Sequence, residues 1–446
     1  MIGVRHPPGR PPVLVKTFLK AQFELEEWQR RMVFWGGAVA TGAVAVLFAK
    51  GSELAMALFF RAREALPWWP YVAAPVGLGL CAWLTQRVFV GAEGSGIPQT
   101  MAALAMTTEE ARDRVLSIRI AIGKVLLTLL ALASGGSVGR EGPTVQIGAS
   151  IMHSLRRYAR FSTTDVDRGL ILAGGAAGVA AAFNTPLAGI VFAIEELSRS
   201  FEERTSGTIL TTVILAGVTS LAFVGNYTYF GTTAAIMSEP RMWLAVPICG
   251  VMGGLLGGAF SLALVRVGAA LPSSLERFRQ ERPVLFAAGC GLLLAAIGWL
   301  SASTTFGTGY AEAKLLLQNE AEPSLAFAPL KAIATLISYV SGVPCGIFSP
   351  SLAVGAGLGA HLHALWPVAP AGAMVILSMA AYFAGVVQAP LTALVIVTEM
   401  TGNRSLTLPL MAVVLIGRGA SALVCRRSLY RSLADRFMPT QPSATA

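Results

Sequence analysis

Long stretches with almost no charged residues recur along the whole chain, and they restrict its fold more than any other feature of the sequence. A helix needs about 20 apolar residues to cross a bilayer; several stretches reach that length, and others are too short or are interrupted by glycine. They lie near residues 32–49, 71–90, 120–138, 169–194, 208–230, 243–271, 284–300, 329–347, 351–366, 372–398 and 407–425. Hydrophobic residues make up 54% of the chain and charged residues only 13%, unlike a soluble domain. The sequence therefore predicts an all-α polytopic membrane protein in which some helices are broken inside the membrane.

The excess of basic residues, a formal net charge of +10, falls in the loops and in the two tails. Basic loops stay on the cytoplasmic side of a membrane, so this distribution indicates topology and gives no reason to expect nucleic acid as a partner. The tails carry Arg5, Arg10, Lys16, Lys20, Arg30, Arg31, Arg426, Arg427, Arg431 and Arg436. We therefore expect both termini in the cytoplasm and an even number of crossings. Residues 1–31 contain an amphipathic run and lack the pattern of a cleaved signal peptide, so no removed leader is expected.

The positions of cysteine and histidine bear on cofactors and on catalysis. The five cysteines are scattered through apolar segments without a CxxC spacing, and the four histidines do not cluster. HExxH and P-loop patterns and paired intramembrane aspartates are also missing from the sequence. We therefore expect no disulfide framework, no metal site, no cofactor and no enzymatic activity.

The two halves of the chain share a pattern of glycine and proline. The spacing of Gly139, Pro143 and Gly148 recurs in Gly346, Pro350 and Gly355. Downstream of these residues, PLAGIVFAIEE (186–196) matches PLTALVIVTEM (390–400). Duplicated halves with interrupted helices at matching positions are typical of transporters whose site lies between the halves. Chance similarity between apolar segments is the alternative.

The matching segments divide the chain into two membrane repeats. The predicted organisation is a cytoplasmic N-terminal segment with an amphipathic helix (1–31), a first repeat (32–230), a linker (231–242), a second repeat (243–435) and a C-terminal tail (436–446). The sequence does not show whether the second repeat is inverted relative to the first.

Three short loops each end where a helix is predicted to begin: GSGIPQ (94–99), GREGP (139–143) and GIFSP (346–350). Free N–H groups and aligned peptide dipoles give such helix ends a partial positive charge. If the loops converge, they could hold an anion by partial charges alone. A full positive charge beside the anion would bind it too tightly for turnover. The residues that would build them are Gly94, Gly96, Pro98, Gly139, Arg140, Gly142, Pro143, Gly346 and Pro350. Three well-capped helices of an ordinary bundle are the alternative.

These loops belong to a longer set of motifs that resembles one family. GSGIPQ, GREGPTVQIGAS, AAFNTPLAGIVFAIEE and GVPCGIFSPSLAVGAGLG, together with Tyr430, are similar to the CLC chloride channels and chloride/proton antiporters of bacteria, from about residue 32 to 435. The resemblance implies the CLC fold, with 18 mostly tilted or broken helices in two inverted repeats. It also implies a homodimer with one pathway per subunit, a location in a bacterial inner membrane, and no room for the CBS pair of many eukaryotic relatives.

In this family, a serine, two backbone N–H groups and a tyrosine hold a central chloride ion. By resemblance these residues are Ser95, Ile347, Phe348 and Tyr430, and bound chloride is the only ligand implied. Glu141 corresponds to the external glutamate gate, which occupies an anion position when ionised, moves away when protonated, and so also carries protons. Without the resemblance, the serine is an ordinary helix cap, the tyrosine an interfacial anchor, and the glutamate an acid that complements a helix dipole.

Two further residues bear on coupling and on the electrostatics of the pathway. In antiporters of this family the second acid of the EE pair exchanges protons with the inner side, and Glu196 has that position; an acid at the membrane surface is the alternative. Glu195 is interpreted as structural because Glu399 is its counterpart in the second half. Lys124 is a lone cation in an apolar run, which either snorkels to the surface or, by resemblance, tunes the potential beneath the pore.

The leading interpretation is a secondary active transporter that exchanges chloride for protons, with chloride, protons, lipids and a second copy of the chain as partners. A passive voltage- or pH-gated chloride channel on the same fold is the alternative. Fluoride exporters of the superfamily depart from GSGIP and GREGP, and nitrate-preferring members tend to have proline in place of Ser95, so the resemblance favours chloride. Gln99, Cys345 and Ser349 vary the family's usual neighbourhood without removing a predicted ligand.

Overall fold

The computed structural model describes residues 25–158, 164–198, 203–225, 228–320 and 324–438. Regular structure in these ranges is helical, with isolated bridges but no strand, so the all-α prediction is confirmed. The α-helices are α1 (Leu25–Ala65), α2 (Pro70–Arg87), α3 (Ile97–Ala105), α4 (Glu109–Asp113), α5 (Ile118–Ala133), α6 (Glu141–Ser154), α7 (Thr164–Phe183), α8 (Pro186–Phe192), α9 (Glu203–Val224), α10 (Ala245–Ala270), α11 (Ser273–Glu281), α12 (Pro283–Leu300), α13 (Tyr310–Gln318), α14 (Phe327–Val340), α15 (Phe348–Leu365), α16 (Ala371–Val387), α17 (Pro390–Thr401), α18 (Thr407–Val424) and α19 (Leu429–Ala434). Helix α8 continues as a π-helix (Ala193–Ser198), and 3₁₀ turns occupy Leu155–Tyr158, Pro240–Leu244 and Asp435–Phe437.

Two of the predicted segments at the chain ends fall partly outside this description. Residues 1–24 of the predicted N-terminal segment and residues 439–446 of the predicted tail lie outside the described residues. Residues 25–31 already belong to α1, so the predicted boundary at residue 31 falls within one helix.

The described chain contains apolar helices of two length classes. Seven helical stretches are long and apolar enough to cross a membrane: Trp28–Ala65, Glu109–Ala133, Val166–Phe183, Gly207–Val224, Pro240–Val267, Pro283–Leu300 and Thr407–Val424. Three apolar helices are shorter: Phe327–Val340, Ala371–Val387 and Pro390–Thr401. This mixture agrees with a polytopic membrane protein that contains broken helices.

Equivalent helices of the two repeats pack in the same way. Helix α6 lies along α7, and α15 lies along α16. The matched glycines mark the places where these pairs touch: a Cβ on Gly148 would lie 2.3 Å from the carbonyl oxygen of Gly174, and one on Gly355 would lie 2.6 Å from the Cα of Met379. Small residues at such contacts let helix backbones approach closely in membranes. The repeated glycine spacing therefore records a repeated helix contact.

The direction of α8 and α17 shows how the repeats are related. Glu195, in the π-helical end of α8, binds N–H groups at the start of α17, while Glu399, near the end of α17, binds the start of α8. Two helices that exchange such contacts run antiparallel. The inverted relationship implied by the family resemblance is therefore seen in these two equivalent helices.

Helices α15 and α16 form the centre of the protein. Every residue from Phe348 to Ala360 and from Ala373 to Val387 is buried. A helix can begin or end within a membrane only where protein or water, rather than lipid, surrounds its free backbone groups. The start of α15 meets this condition because protein surrounds it.

The connection between α9 and α10 is anchored to the second repeat. The Phe230 N–H donates a hydrogen bond to the Met400 carbonyl at 2.9 Å. The side-chain amide of Asn403 donates to the carbonyls of Thr233 and Ala235 at 3.1 and 2.9 Å. The linker predicted at 231–242 lies in this connection and ends within the 3₁₀ turn Pro240–Leu244.

Candidate functional site

The three predicted loops meet, and they are joined through their backbones. The Gly139 N–H donates to the Gly346 carbonyl at 2.6 Å. The Gly94 N–H donates to the Val343 carbonyl at 3.3 Å, and the Cys345 N–H returns a bond of 3.0 Å to the Gly94 carbonyl. The starts of α3, α6 and α15 are therefore brought to one place by contacts between segments far apart in sequence.

Two glycines are required by the close approach of these loops. A Cβ on Gly346 would lie 2.3 Å from the Gly139 carbonyl oxygen, a separation that no side chain can occupy. Gly96 has φ +99°, and a Cβ there would lie 2.8 Å from the Gly142 carbonyl oxygen. The glycine pattern of the sequence thus marks backbone-to-backbone contact as well as loop conformation.

Lys124 holds the first loop from behind. Its ammonium donates to the carbonyls of Ala92, Glu93 and Gly94 at 2.9, 3.0 and 2.8 Å, and its side chain is fully buried. Snorkelling to the surface, the alternative considered from the sequence, does not occur. The lysine satisfies three carbonyls of an irregular segment that could not be left unpaired at this depth.

A second buried lysine, Lys331, was missed by the sequence reasoning. It is fully buried and donates to the carbonyls of Thr305 and Gly307 at 2.9 and 2.8 Å. A signal for it was present, because Lys331 lies 15 residues before Gly346 just as Lys124 lies 15 residues before Gly139. The two repeats therefore use equivalent lysines to support equivalent irregular segments.

Two buried hydroxyl groups face each other beside the start of α15. Ser95 and Tyr430 are 1% and 0% exposed. Neither hydroxyl has a hydrogen-bond partner at normal distance and angle among the described residues. The hydroxyls are near enough to interact. The Tyr430 ring stacks on Phe348, with 6.0 Å between ring centroids and 14° between planes. Buried polar groups of this kind are normally paired, so the pair indicates a place for a polar or charged ligand.

Ile347 and Phe348 complete this group from the backbone side. Phe348 is the first residue of α15 and Ile347 precedes it as the N-cap residue; both are buried. N–H groups at the start of a helix have no acceptor within that helix, and the helix dipole favours negative charge beside them. The structure thus brings together the four residues predicted to bind chloride.

Glu141 places its carboxylate against the start of α15. Although Glu141 is the first residue of α6, its Oε2 accepts a hydrogen bond from the Ser349 N–H at 3.4 Å, and its Oε1 accepts from the Ser349 hydroxyl. The side chain is 1% exposed. A buried carboxylate here is stabilised by donors and by the dipole of another helix, so it occupies a position suited to an anion.

Tyr229 is a third donor to this carboxylate, and the sequence reasoning missed it. Its hydroxyl donates to Glu141 Oε1 at 3.3 Å, and the residue lies in the connection between α9 and α10. Its ring contacts Phe183, Phe230 and Tyr310, with centroid distances of 6.0, 5.1 and 4.8 Å. No motif marks Tyr229, because only the tertiary structure brings this connection to the site.

Glu196 lies in the π-helical turn that ends α8. Glu196 is 4% exposed, and its Oε1 accepts a hydrogen bond from the Ser428 hydroxyl at 3.4 Å. Its neighbour Glu195 faces α17 instead. A π-helical turn changes the direction of successive side chains and often occurs at functional sites. Tyr430 lies within electrostatic range of both Glu196 and Glu141. The tyrosine predicted to bind chloride is therefore near both acids.

The arginine, the prolines and the glutamine of the predicted loops hold those loops in shape. Arg140 donates to the Ala49 carbonyl at 2.8 Å and forms an ion pair with Glu53 at 3.3 Å. Pro98, Pro143 and Pro350 lie in the first turns of α3, α6 and α15, where a missing N–H costs nothing. Gln99, which replaces an acid usual in the family, accepts a hydrogen bond from the Gly96 N–H at 3.0 Å and so caps α3.

Comparisons with known proteins agree with this geometry. The family model described as Voltage gated chloride channel matches residues 77–422. The H(+)/Cl(-) exchange transporter ClcA of Yersinia pseudotuberculosis is 30% identical over 443 residues, covering 92% of this chain and 87% of the relative. A slow cyanobacterial Cl-/H+ antiporter has a similar structure, with a TM-score of 0.79 and 23% identity, covering 93% of this chain and 99% of that chain. A CLC-type fluoride/proton antiporter has a TM-score of 0.74 and 23% identity, covering 90% of this chain and 97% of that chain.

These matches extend over nearly all of the segment in which the motifs were found. The sequence match shows the family, and the two structural matches show a shared fold. The chain belongs to the voltage-gated chloride channel family, the CLC family, as the resemblance of its motifs predicted.

Proposed function

We propose that the chain is a secondary active transporter that exchanges chloride for protons across a membrane. The relative named H(+)/Cl(-) exchange transporter is aligned over 92% of this chain, which supports exchange over passive flow. The observation that carries the proposal is the buried Glu141 carboxylate at the start of α15, because a titratable acid there can compete with an anion for the same position.

Chloride is proposed to bind between the Ser95 and Tyr430 hydroxyls and the N–H groups of Ile347 and Phe348. Each group offers a partial positive charge without a formal one, which suits an ion that must bind and leave. Lys124 is proposed to add a favourable potential through the loop that it holds, since its contacts are to the carbonyls of that loop. No cofactor beyond bound chloride is needed for this function.

Glu141 is proposed to act as the external gate and to carry the proton. Its ionised carboxylate is matched by the donors around it, whereas a protonated carboxyl group has no charge to offset and is held less strongly there. Protonation would therefore release the side chain and admit chloride. One group then serves both ions, which links the movement of one to the movement of the other.

Glu196 is proposed as the internal proton acceptor. Its burial and the π-helical turn that directs it inward support this role, as does the shared electrostatic range with Tyr430. A passive chloride channel moves no protons and therefore does not need an acid at this position. Retention of Glu196 therefore favours coupled exchange.

The assembly and location are also proposals. The family resemblance supports a homodimer with one pathway per subunit in a bacterial inner membrane, with both termini cytoplasmic. Leu187 and Leu391 occupy equivalent positions in the two repeats and are exposed, as expected for an apolar face that contacts a second copy or lipid. Lipids would cover the remaining apolar surface.

The test is simultaneous measurement of chloride and proton flux in liposomes containing the purified full-length protein. A chloride gradient should drive protons uphill in the wild type. Glu141→Ala should retain chloride flux and lose proton flux, and Glu196→Gln should reduce proton flux more than chloride flux. Glu239→Gln, at a half-exposed acid near Pro240, is the matched control.

Two results would contradict the proposal. Chloride flux without any proton movement in the wild type would identify a passive channel. Fluoride transport with no chloride transport would place the chain with fluoride exporters instead.

A further inference from the structure

The Glu141 carboxylate is held from two different parts of the fold. The Ser349 N–H and hydroxyl approach it from the start of α15, and the Tyr229 hydroxyl approaches it from the connection between α9 and α10. The Ser349 N–H binds Oε2, whereas the tyrosine binds Oε1. Donors on both oxygens fix the orientation of the carboxylate plane as well as its position.

Tyr229 is itself fixed from several sides. The Tyr310 hydroxyl donates to the Tyr229 carbonyl at 2.6 Å, and the Arg140 guanidinium lies 5.8 Å from the Tyr229 ring centroid. Its ring packs against Phe183 and Phe230, and the residue is 3% exposed. An aromatic ring that is buried and held at both its backbone and its face presents its hydroxyl in one direction. That direction is toward Glu141.

We propose that Tyr229 is a positioning residue for the gate, a role that rests on the proposed gating function of Glu141. The Tyr229 hydroxyl donates to the Glu141 carboxylate while that carboxylate lies at the start of α15. This hydrogen bond stabilises the carboxylate there and makes it harder for an anion to displace it. The connection between α9 and α10 is then part of the gate and more than a link between the repeats. Tyr229 contributes to how readily chloride replaces the carboxylate.

Tyr229→Phe tests this role because it removes one oxygen and keeps the ring. Chloride uptake is measured against chloride concentration in liposomes that contain the full-length protein. Since a hydrogen bond to a charged group contributes about tenfold or more to an equilibrium constant, we expect the apparent KM for chloride to fall by about that factor. The maximal rate should change less, and the ratio of protons to chloride should fall because the gate opens more often without a proton.

The same substitution in a Glu141→Ala background separates positioning from packing. If Tyr229 acts through the carboxylate, adding Tyr229→Phe to Glu141→Ala changes neither KM nor rate. Equal shifts in both backgrounds would mean that the hydroxyl supports packing or touches the anion, and would overturn the proposal. An unchanged KM in Tyr229→Phe alone would overturn it as well.

Two further comparisons complete the design. Tyr71→Phe, at an exposed tyrosine of α2, is the matched control and should behave as the wild type. Wild-type proton flux in Glu141→Ala would refute the gate, and with it the role of Tyr229. Loss of proton flux in Glu141→Ala combined with an inert Tyr229→Phe would refute the tyrosine's role alone.

Discussion

Glu195, at the end of α8, binds the start of α17, and Glu399, near the end of α17, binds the start of α8. The Glu195 carboxylate accepts hydrogen bonds from the N–H groups of Leu391 and Thr392 at 3.1 and 2.6 Å, and Glu399 accepts one from Ala188 at 2.8 Å. Each carboxylate therefore offsets the partial positive charge at a helix start in the other repeat. The same contact, made twice, joins the two halves of the chain.

Loss of this contact should destabilise the protein without altering ion selectivity. Glu399→Ala removes a charged acceptor from the start of α8, which should cost about 1–2 kcal/mol and lower the Tm by several degrees. Glu399→Gln retains an oxygen acceptor and should show a smaller decrease. Thermal unfolding of the purified protein in one detergent checks this, with Glu239→Ala as the control. A wild-type Tm for Glu399→Ala would contradict the assignment.

Lys331 should be needed for stability as much as Lys124. Lys331→Met keeps the apolar length of the side chain but leaves the Thr305 and Gly307 carbonyls without their donor. At about 1–3 kcal/mol for each unsatisfied buried group, the Tm should fall clearly. Lys314→Met, on α13 and half-buried, is the control. Equal unfolding temperatures for Lys331→Met and wild type would show that water replaces the lysine at no cost.

Gly346→Ala should separate the second and third loops. The new Cβ would meet the Gly139 carbonyl oxygen at 2.3 Å, so the backbone bond between the loops cannot persist in its present form. We expect chloride binding, measured by calorimetry on the purified protein, to weaken by at least tenfold as the loops shift. Gly289→Ala, on α12 with open space around its Cβ, is the control. Unchanged chloride affinity in Gly346→Ala would mean that this junction does not shape the anion site.

Ser95→Ala should weaken chloride binding modestly while leaving the fold intact. No hydrogen bond of normal geometry joins the serine hydroxyl to a described residue, so its loss breaks no such bond within the protein. One lost hydrogen bond of typical net strength corresponds to roughly a threefold to tenfold rise in Kd. Ser274→Ala, on the exposed helix α11, is the control. A Kd equal to that of the wild type would remove Ser95 from the proposed site.

Much of the fold could be predicted because the membrane allows few solutions. Apolar stretches without charge must form helices if their backbone groups are to be paired in lipid, so the all-α class followed directly. Each repeat makes the same helix contacts, so the residues that make them recur at matching positions. Gly148 matches Gly355 at one contact, and Glu195 matches Glu399 at another. Ser95, Glu141 and Tyr430 were identified through the resemblance of their motifs to those of the CLC family, which a single sequence is enough to show.

The sequence by itself determined the helical class, the repeat, and which loops carry anion-binding chemistry. Only the tertiary structure decided that the repeats run in opposite directions, that Lys124 holds a loop instead of reaching the surface, and that Tyr229 meets Glu141. The physical reason is that helix formation depends on neighbours in the chain, whereas these contacts join segments that lie far apart in the sequence. Those segments meet only when the chain packs around α15 and α16. Tyr229 therefore contacts Glu141 only in the folded protein, and no local sequence pattern marks it.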